Sequence, residues 1–232
     1  MKIALFGYGK MGHMLEKVAL ARGHQIVAKI DLDCPEVDFG LIDVAIDFST
    51  PDAAFDNIIQ CFENKVPVIS GTTGWLSKYD EAVASCNQHK GAFIYASNFS
   101  LGVNLFFELN KQLAKMMAGL PDYKIAMEEI HHTQKLDAPS GTAITLAQGI
   151  IDHSAYSNWT MDDANANEIK ISSIREGQIP GTHSINYNSA VDSIEIKHTA
   201  HNREGFALGA MIAAEFVHGK IGVFTMKDVL NL

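Results

Sequence analysis

Short apolar runs broken by glycine, and longer segments with helical spacing, alternate through the first hundred residues of this 232-residue chain. Lys2-Ile3-Ala4-Leu5-Phe6 is the first run and stops at Gly7-Tyr8-Gly9-Lys10-Met11-Gly12. Beyond it Met14-Leu15, Val18-Ala19 and Leu20 recur at helical spacing up to Gly23. Gln25-Ile26-Val27-Ala28-Lys29-Ile30 reads as a second strand, followed by strand-like runs at 44–48, 66–69 and 93–96. Helical patterns lie between them after Thr50-Pro51-Asp52 and after Trp75-Leu76-Ser77. Pro51 suits a first helical position, where no N–H is needed. The connection between the second and third strands contains Pro35 and Gly40 and is short, so a loop is expected there. Strands alternating with helices predict a parallel sheet covered on both faces.

After Leu101-Gly102 the order changes. Leu105-Phe106, Leu109, Leu113 and Met116-Met117 give residues 103–117 one apolar face and predict a long helix. Residues 124–130 read as a strand and 140–151 as a helix. Ile169-Lys170-Ile171 with Ile174, then residues 183–187 and 193–198, read as strands, some alternating as one-sided sheets do. The polar tract 157–168 reads as a surface excursion. From Arg203 a helical period returns as far as Val217, and the chain closes with Val223-Phe224 and residues 226–230. The expected class is α/β: a Rossmann-type doubly wound parallel sheet plus a second α+β domain with a mixed sheet. The expected boundaries are 1–99, completed by about 205–232, and 100–204.

The glycine turn changes this from architecture to chemistry. In strand, G-x-G-x-x-G, helix, Gly7 permits a tight turn, Gly9 lets the backbone approach a pyrophosphate, and Gly12 lets helix and strand pack closely. The following helix offers unpaired N–H groups and a positive dipole end. Asp31 ends the second strand, where an acid grips a ribose diol; a solvated loop acid is the plainer reading of it. Leu32 rather than arginine follows, which leans to NAD, although Lys10 or Lys29 could meet a 2′-phosphate. Phe48-Ser49-Thr50, Ser70-Gly71-Thr72-Thr73-Gly74 and Ala96-Ser97-Asn98-Phe99 fall at strand ends, where ligands of such sheets sit.

The formal net charge is −9, which argues against nucleic-acid or membrane partners, since both need a basic face. Any anionic ligand must then be held by local positive groups. Cys34, Cys61 and Cys86 have neither disulfide nor zinc-site spacing and are expected to be buried thiols in a reducing cytoplasm. The N-terminal apolar run is too short for a signal peptide, and no run approaches a membrane span.

The stretch EEIHHTQKLDAPSGTA, residues 128–143, supplies candidates for the positive groups. His131 and Lys135 are four apart, so a helical or coiled segment could aim both at one ligand. If the strand continued through His132, the two histidines would face opposite ways, unless the chain turns at Thr133. Ser140-Gly141-Thr142 opens a helix behind Pro139 and offers N–H groups and hydroxyls to a carboxylate. The bland readings are a structural histidine and a surface lysine. The His131-His132 pair could also ligate metal, but no companion acid or cysteine stands at ligand spacing, so no metal is expected. His198 and His201 are expected to be structural, with the basic run 197–203 bordering the site.

This stretch resembles the signature of the dihydrodipicolinate (4-hydroxy-tetrahydrodipicolinate) reductases of the diaminopimelate route to lysine. The similarity extends to GYGKMG, SGTTGW, ASNFSLGVN, SIREGQIPG, HTAHNREGFALGA and FTMKDVL. It implies NADH or NADPH bound by Gly7, Tyr8, Gly9, Lys10, Met11, Gly12, Asp31, Gly71, Thr72, Thr73, Ala96, Ser97, Asn98 and Phe99. It implies a small cyclic dicarboxylate as substrate. His131 would be the proton donor or acceptor, Lys135 the donor to the ring and His132 a substrate contact. Gly141 and Thr142, with Ser140 and Thr73 nearby, would bind a carboxylate. A cytoplasmic homotetramer built through the second domain is also implied. Two departures stand out: many members have one more residue in the glycine loop and an arginine after the acid. A related dehydrogenase of another small acid and a non-catalytic NAD-binding sensor are the rival readings.

Overall fold

Four consecutive buried residues, Ile3 to Phe6, make up nearly all of β1 (Lys2–Phe6), because its sheet is covered on both faces. Ile3 and Leu5 face a core shared with Leu15, Ala19, Ala210 and Met211. Ala4 and Phe6 face a second core with Ile58, Phe62 and Trp75. The computed structural model describes residues 1–31 and 37–232. The expectations for Leu32, Cys34 and Pro35 lie outside the described residues. The chain divides into two units, Met1–Leu101 with Glu204–Leu232, and Gly102–Arg203.

The first unit runs β1, α1 (Lys10–Ala21), β2 (Gln25–Ile30), β3 (Val44–Asp47), α2 (Pro51–Glu63), β4 (Val68–Ser70), α3 (Tyr79–His89) and β5 (Ala92–Tyr95). With β11 (Gly222–Phe224) from late in the chain, its six strands are all parallel, in the order β11-β5-β4-β3-β1-β2. The order reverses beside β1, which creates the crevice where such sheets take ligands. Pro51 occupies the first turn of α2, as its position suggests. β4 starts two residues later than the apolar run, because Pro67 has no N–H for the ladder.

The second unit holds α4 (Leu101–Met117, its first residue in the other unit), β6 (Lys124–His131), α5 (Gly141–Ile151), β7 (Asn158–Thr160), β8 (Glu168–Arg175), β9 (Thr182–Asn188) and β10 (Ser193–Thr199). Its mixed sheet has the order β10-β9-β6-β8-β7, antiparallel among β10, β9 and β6 and parallel among β6, β8 and β7. Ile125, Met127, Ile169 and Ile171 bury one face against Leu146, Ala147 and Ile150 of α5.

α6 (Glu204–Val217), β11 (Gly222–Phe224) and α7 (Met226–Leu230) complete the first unit. Three local differences from the sequence pattern have simple causes. The tract 157–168 contains β7, a three-residue edge strand too short to show a period, whose Trp159 packs on the core. β11 is equally short and extends the first sheet beside β5. Phe39–Leu41 forms a 3-10 turn in the connection read as loop, with Asp38 accepting from the Gly40 N–H at 3.0 Å. Cys61 and Cys86 are buried, and burial raises both thiols, Cys86 to about 11. Among the described residues no helix is long and apolar enough to cross a membrane.

Candidate active site

In the first unit the glycine turn has no room for side chains at Gly7 and Gly12. Gly7 has φ +87°, and a Cβ there would lie 2.1 Å from the Phe48 carbonyl oxygen. A Cβ on Gly12 would stand 2.6 Å from the Gly7 carbonyl oxygen, so α1 and β1 meet closely. Gly9, the residue before α1, has open space around its Cβ position, which leaves the helix N-terminus accessible to an anion. A cleft of about 350 Å³ lies here, lined by Gly7, Tyr8, Gly9, Asp31, Phe48 and Ser49 among others. These residues come from the carboxyl ends of β1, β2 and β3, so the glycine turn and Asp31 share one crevice. Asp31, Lys10, Thr73 and Ser97 are exposed, whereas Tyr8, Met11, Gly71, Ala96 and Asn98 are partly buried.

Two acids of this region, Glu16 and Asp47, were invisible as functional candidates. The Tyr8 hydroxyl donates to Glu16, and Lys29 Nζ lies 2.7 Å from Glu16 Oε1 and 4.6 Å from the Tyr8 ring centre. Lys29 and then Tyr8 hold the Glu16 carboxyl below its ordinary range. Asp47, fully buried at the end of β3, accepts from Ser49 Oγ at 2.6 Å, Ser70 Oγ at 2.7 Å, Thr72 Oγ1 at 2.8 Å and Asn57 Nδ2 at 3.2 Å. It ties the turns after β3 and β4 together, and Thr72 Oγ1 also accepts from the Ser49 N–H. The Thr72 side chain therefore faces inward. Gly71 passes so close to Phe48 that a Cβ would meet its ring at 2.3 Å. The Phe99 side chain is buried in the core against Phe48, their centroids 5.8 Å apart, so it faces away from any ligand.

In the second unit β6 ends at His131, and the chain turns at once, with the Lys135 N–H donating to the His132 carbonyl at 3.1 Å. The segment is strand then turn rather than helix, which frees His132 from strand alternation. His131 is buried and His132 half-buried. Lys135 Nζ lies 2.8 Å from both carboxylate oxygens of Asp137. Asp137 is held below its ordinary range chiefly by that ammonium.

Ser140 caps α5, its Oγ accepting from the Ala143 N–H at 3.2 Å. Its own N–H donates to Glu129 Oε1 at 3.0 Å, and its Oγ stands 3.1 Å from His183 Nε2. Ser140 is thus turned inward, and the exposed start of the helix is at Gly141, with Thr142 half-buried beside it.

The centre of this region is Glu129, which sequence reading passed over. Fully buried on β6, it faces the same side as His131. Glu129 Oε2 lies 3.2 Å from His131 Nδ1 and 3.7 Å from His183 Nε2. Oε1 accepts from Ser173 Oγ at 2.9 Å and Arg175 NH2 at 3.0 Å, besides Ser140. Burial works against the charged carboxylate, but His131, Ser140, Arg175 and Ser173 outweigh it and hold the group well below the carboxylate range. His183 is pushed down to about 4, first by burial and then by the neighbouring His131. Register explains the gathering: Glu129 pairs with Ser173 on β8 and with His183 on β9.

This corrects the reason given for expecting no metal, since an acid and a second histidine do stand beside His131. The ligand atoms of Glu129, His131 and His183 lie within 4.8 Å of one another. The Arg175 guanidinium on the same carboxylate disfavours a further cation there.

Residues 33–99 match the family described as dihydrodipicolinate reductase, N-terminus, and residues 102–230 its C-terminal counterpart. A 4-hydroxy-tetrahydrodipicolinate reductase of Christiangramia forsetii is 57% identical over 100% of this chain and 98% of its own length. One of Thermosipho africanus is 36% identical over the same shares, 100% and 98%. The dipicolinate-bound dihydrodipicolinate reductase of a Paenisporosarcina species shares the fold, with a TM-score of 0.78 at 23% identity over 97% of both chains. With both halves matched and relatives similar from end to end, this chain belongs to the dihydrodipicolinate reductase family.

Proposed function

We propose that this chain reduces 4-hydroxy-tetrahydrodipicolinate, or its dehydrated form, to tetrahydrodipicolinate with NADH or NADPH, in the route to diaminopimelate and lysine. The observation that carries the reading is the constellation on β6 and the turn after it. An imidazole and a helix start meet one buried carboxylate there, with the Lys135 ammonium in the turn beside them. The first unit fits a nicotinamide dinucleotide: its turn excludes side chains at Gly7 and Gly12 and leaves Gly9 open, with Asp31 across the cleft. That cofactor, when bound, supplies the hydride.

The chain's own residues do the rest. The N–H groups at Gly141 and Thr142 receive one substrate carboxylate at the positive end of α5. His132 and Thr73 are further substrate contacts by family resemblance. Lys135 exchanges Asp137 for the dianionic ring, stabilises negative charge developing toward the ring nitrogen and delivers a proton there. His131 serves as a proton donor or acceptor beside it. A homotetramer through the second unit fits its sheet, whose Ile174 and Ser172 face outward; light scattering on the purified protein checks the mass.

The test is NADH and NADPH oxidation coupled to a dihydrodipicolinate synthase, with pyridine-2,6-dicarboxylate as inhibitor. Lys135→Ala is expected to lower kcat at least ~10²-fold, the low end of one acid–base contribution, with little change in cofactor affinity. A near-wild-type rate refutes the role of Lys135. Cofactor binding without any oxidation by the wild type supports a sensor instead.

A further inference from the structure

We propose that Glu129 is a positioning residue that sets the orientation of the His131 imidazole through Nδ1 and, through Arg175, the turn that carries Lys135. The inference rests on the roles given above to His131 and Lys135, and names what holds both in place.

A buried carboxylate without partners is costly, so its surroundings reveal what it is for. Glu129 Oε1 is saturated by three donors from two elements: the Ser140 N–H at the start of α5, and Ser173 Oγ and Arg175 NH2 on β8. Those contacts fix the carboxylate plane. Oε2 is left to the imidazoles, and His131 Nδ1 at 3.2 Å is nearer than His183 Nε2 at 3.7 Å, which already has Ser140 Oγ at 3.1 Å. The Oε2–Nδ1 pair is close but off line, an electrostatic contact that a small ring rotation turns into a hydrogen bond. An acceptor at Nδ1 favours the proton there and leaves Nε2 as the exchanging nitrogen. Gly181 lies against that nitrogen, and a Cβ added there would come within 3.0 Å of it.

Arg175 extends the same control to the lysine. Its NH2 that meets Glu129 also donates to the Asp137 carbonyl at 2.6 Å, and its Nε donates to the Lys135 carbonyl at 3.3 Å. One ion pair therefore braces the strand end that bears His131 and the turn that bears Lys135. Among the described residues the charged and titratable neighbours include Glu129 with Arg175, Lys135 with Asp137, His183 and His198 on β9 and β10, His132 next in the chain, and Glu176, whose N–H donates to the His131 carbonyl at 2.8 Å. Of these acids Glu129 stands nearest the His131 ring, 3.2 Å from Nδ1.

The wild-type protein gives a test that needs no variant. Nitrogen-15 shifts of the neutral His131 ring, assigned by comparison with His131→Gln, should report the Nδ1–H tautomer; an Nε2–H tautomer overturns the proposal. Kinetically, Glu129→Gln should lose at least ~10-fold in kcat, bounded by the ~10²- to 10⁴-fold of a whole acid–base contribution, with the KM for NADH unchanged. Glu129→Asp, which keeps a carboxylate, should recover part of that loss. A Glu129→Gln enzyme with wild-type rate overturns the positioning role while Lys135→Ala stays impaired. A wild-type rate in Lys135→Ala sinks the underlying reading instead.

Discussion

At the scale of single residues, exposed Asp31 is expected to bias cofactor choice. It stands at the cleft where a ribose would lie, and a carboxylate there accepts from a 2′,3′-diol and repels a 2′-phosphate. Lys29, the cation nearest in sequence, is committed to Glu16 at 2.7 Å and does not offset that repulsion. NADH is therefore expected to have a lower KM than NADPH in parallel initial-rate titrations. Asp31→Ala should raise the NADH KM and shrink the preference by about tenfold, or about 1.4 kcal/mol. A wild-type preference for NADPH would contradict this account. Asp31 was legible because a glycine turn and the next strand end lie within one local unit. Glu129, Arg175 and His183 were not, although EEIHH and SIREGQIPG were both noticed, because only the pairing of β6 with β8 and β9 brings them together.

At the scale of elements, the long strands and helices were readable because each shows a period or an unbroken buried run. The three-residue β7 and β11 show neither, and pairing alone defines them. α6 makes a testable case of packing against propensity. Gly209 lies inside this helix, where alanine is intrinsically better by ~1 kcal/mol. A Cβ there would stand 1.8 Å from the Phe99 carbonyl oxygen, so backbone has to move. Overpacking of that kind typically costs about 1–3 kcal/mol or more. Gly209→Ala is therefore expected to lower the melting temperature by several degrees, at about 2–4 °C per kcal/mol for a chain of this size. Calorimetry checks it, and a rise in melting temperature would mean that α6 is not held against that carbonyl. Phe99 would shift with it, so weaker NADH binding should accompany the loss.

For the molecule as a whole, the buried cluster of the second unit predicts sensitivity to acid. His183 has a native value of about 4 against an ordinary 6.5, chiefly through burial. Between those two values the unfolded chain binds a proton that the native chain refuses. Stability therefore falls as pH drops through that window and His183 adds no further loss below it. His198 is lowered too, by burial and His201, and acts in the same sense. Glu129 is depressed, so its contribution is intact above the ordinary carboxylate value of ~4.3 and disappears only as pH falls beyond it. The histidine window thus comes first on acidification. At 1.36 kcal/mol per pH unit, His183 accounts for a loss on the order of 2–3 kcal/mol between pH 6.5 and 4.5, or roughly 5–10 °C in melting temperature. Melts of wild type and His183→Gln across pH 7.5 to 4.5 separate this from the general effect of discharging surface acids. The variant should start lower at neutral pH, having disturbed the Ser140 contact, yet lose less on acidification. Parallel curves for the two proteins would place the acid-sensitive group elsewhere.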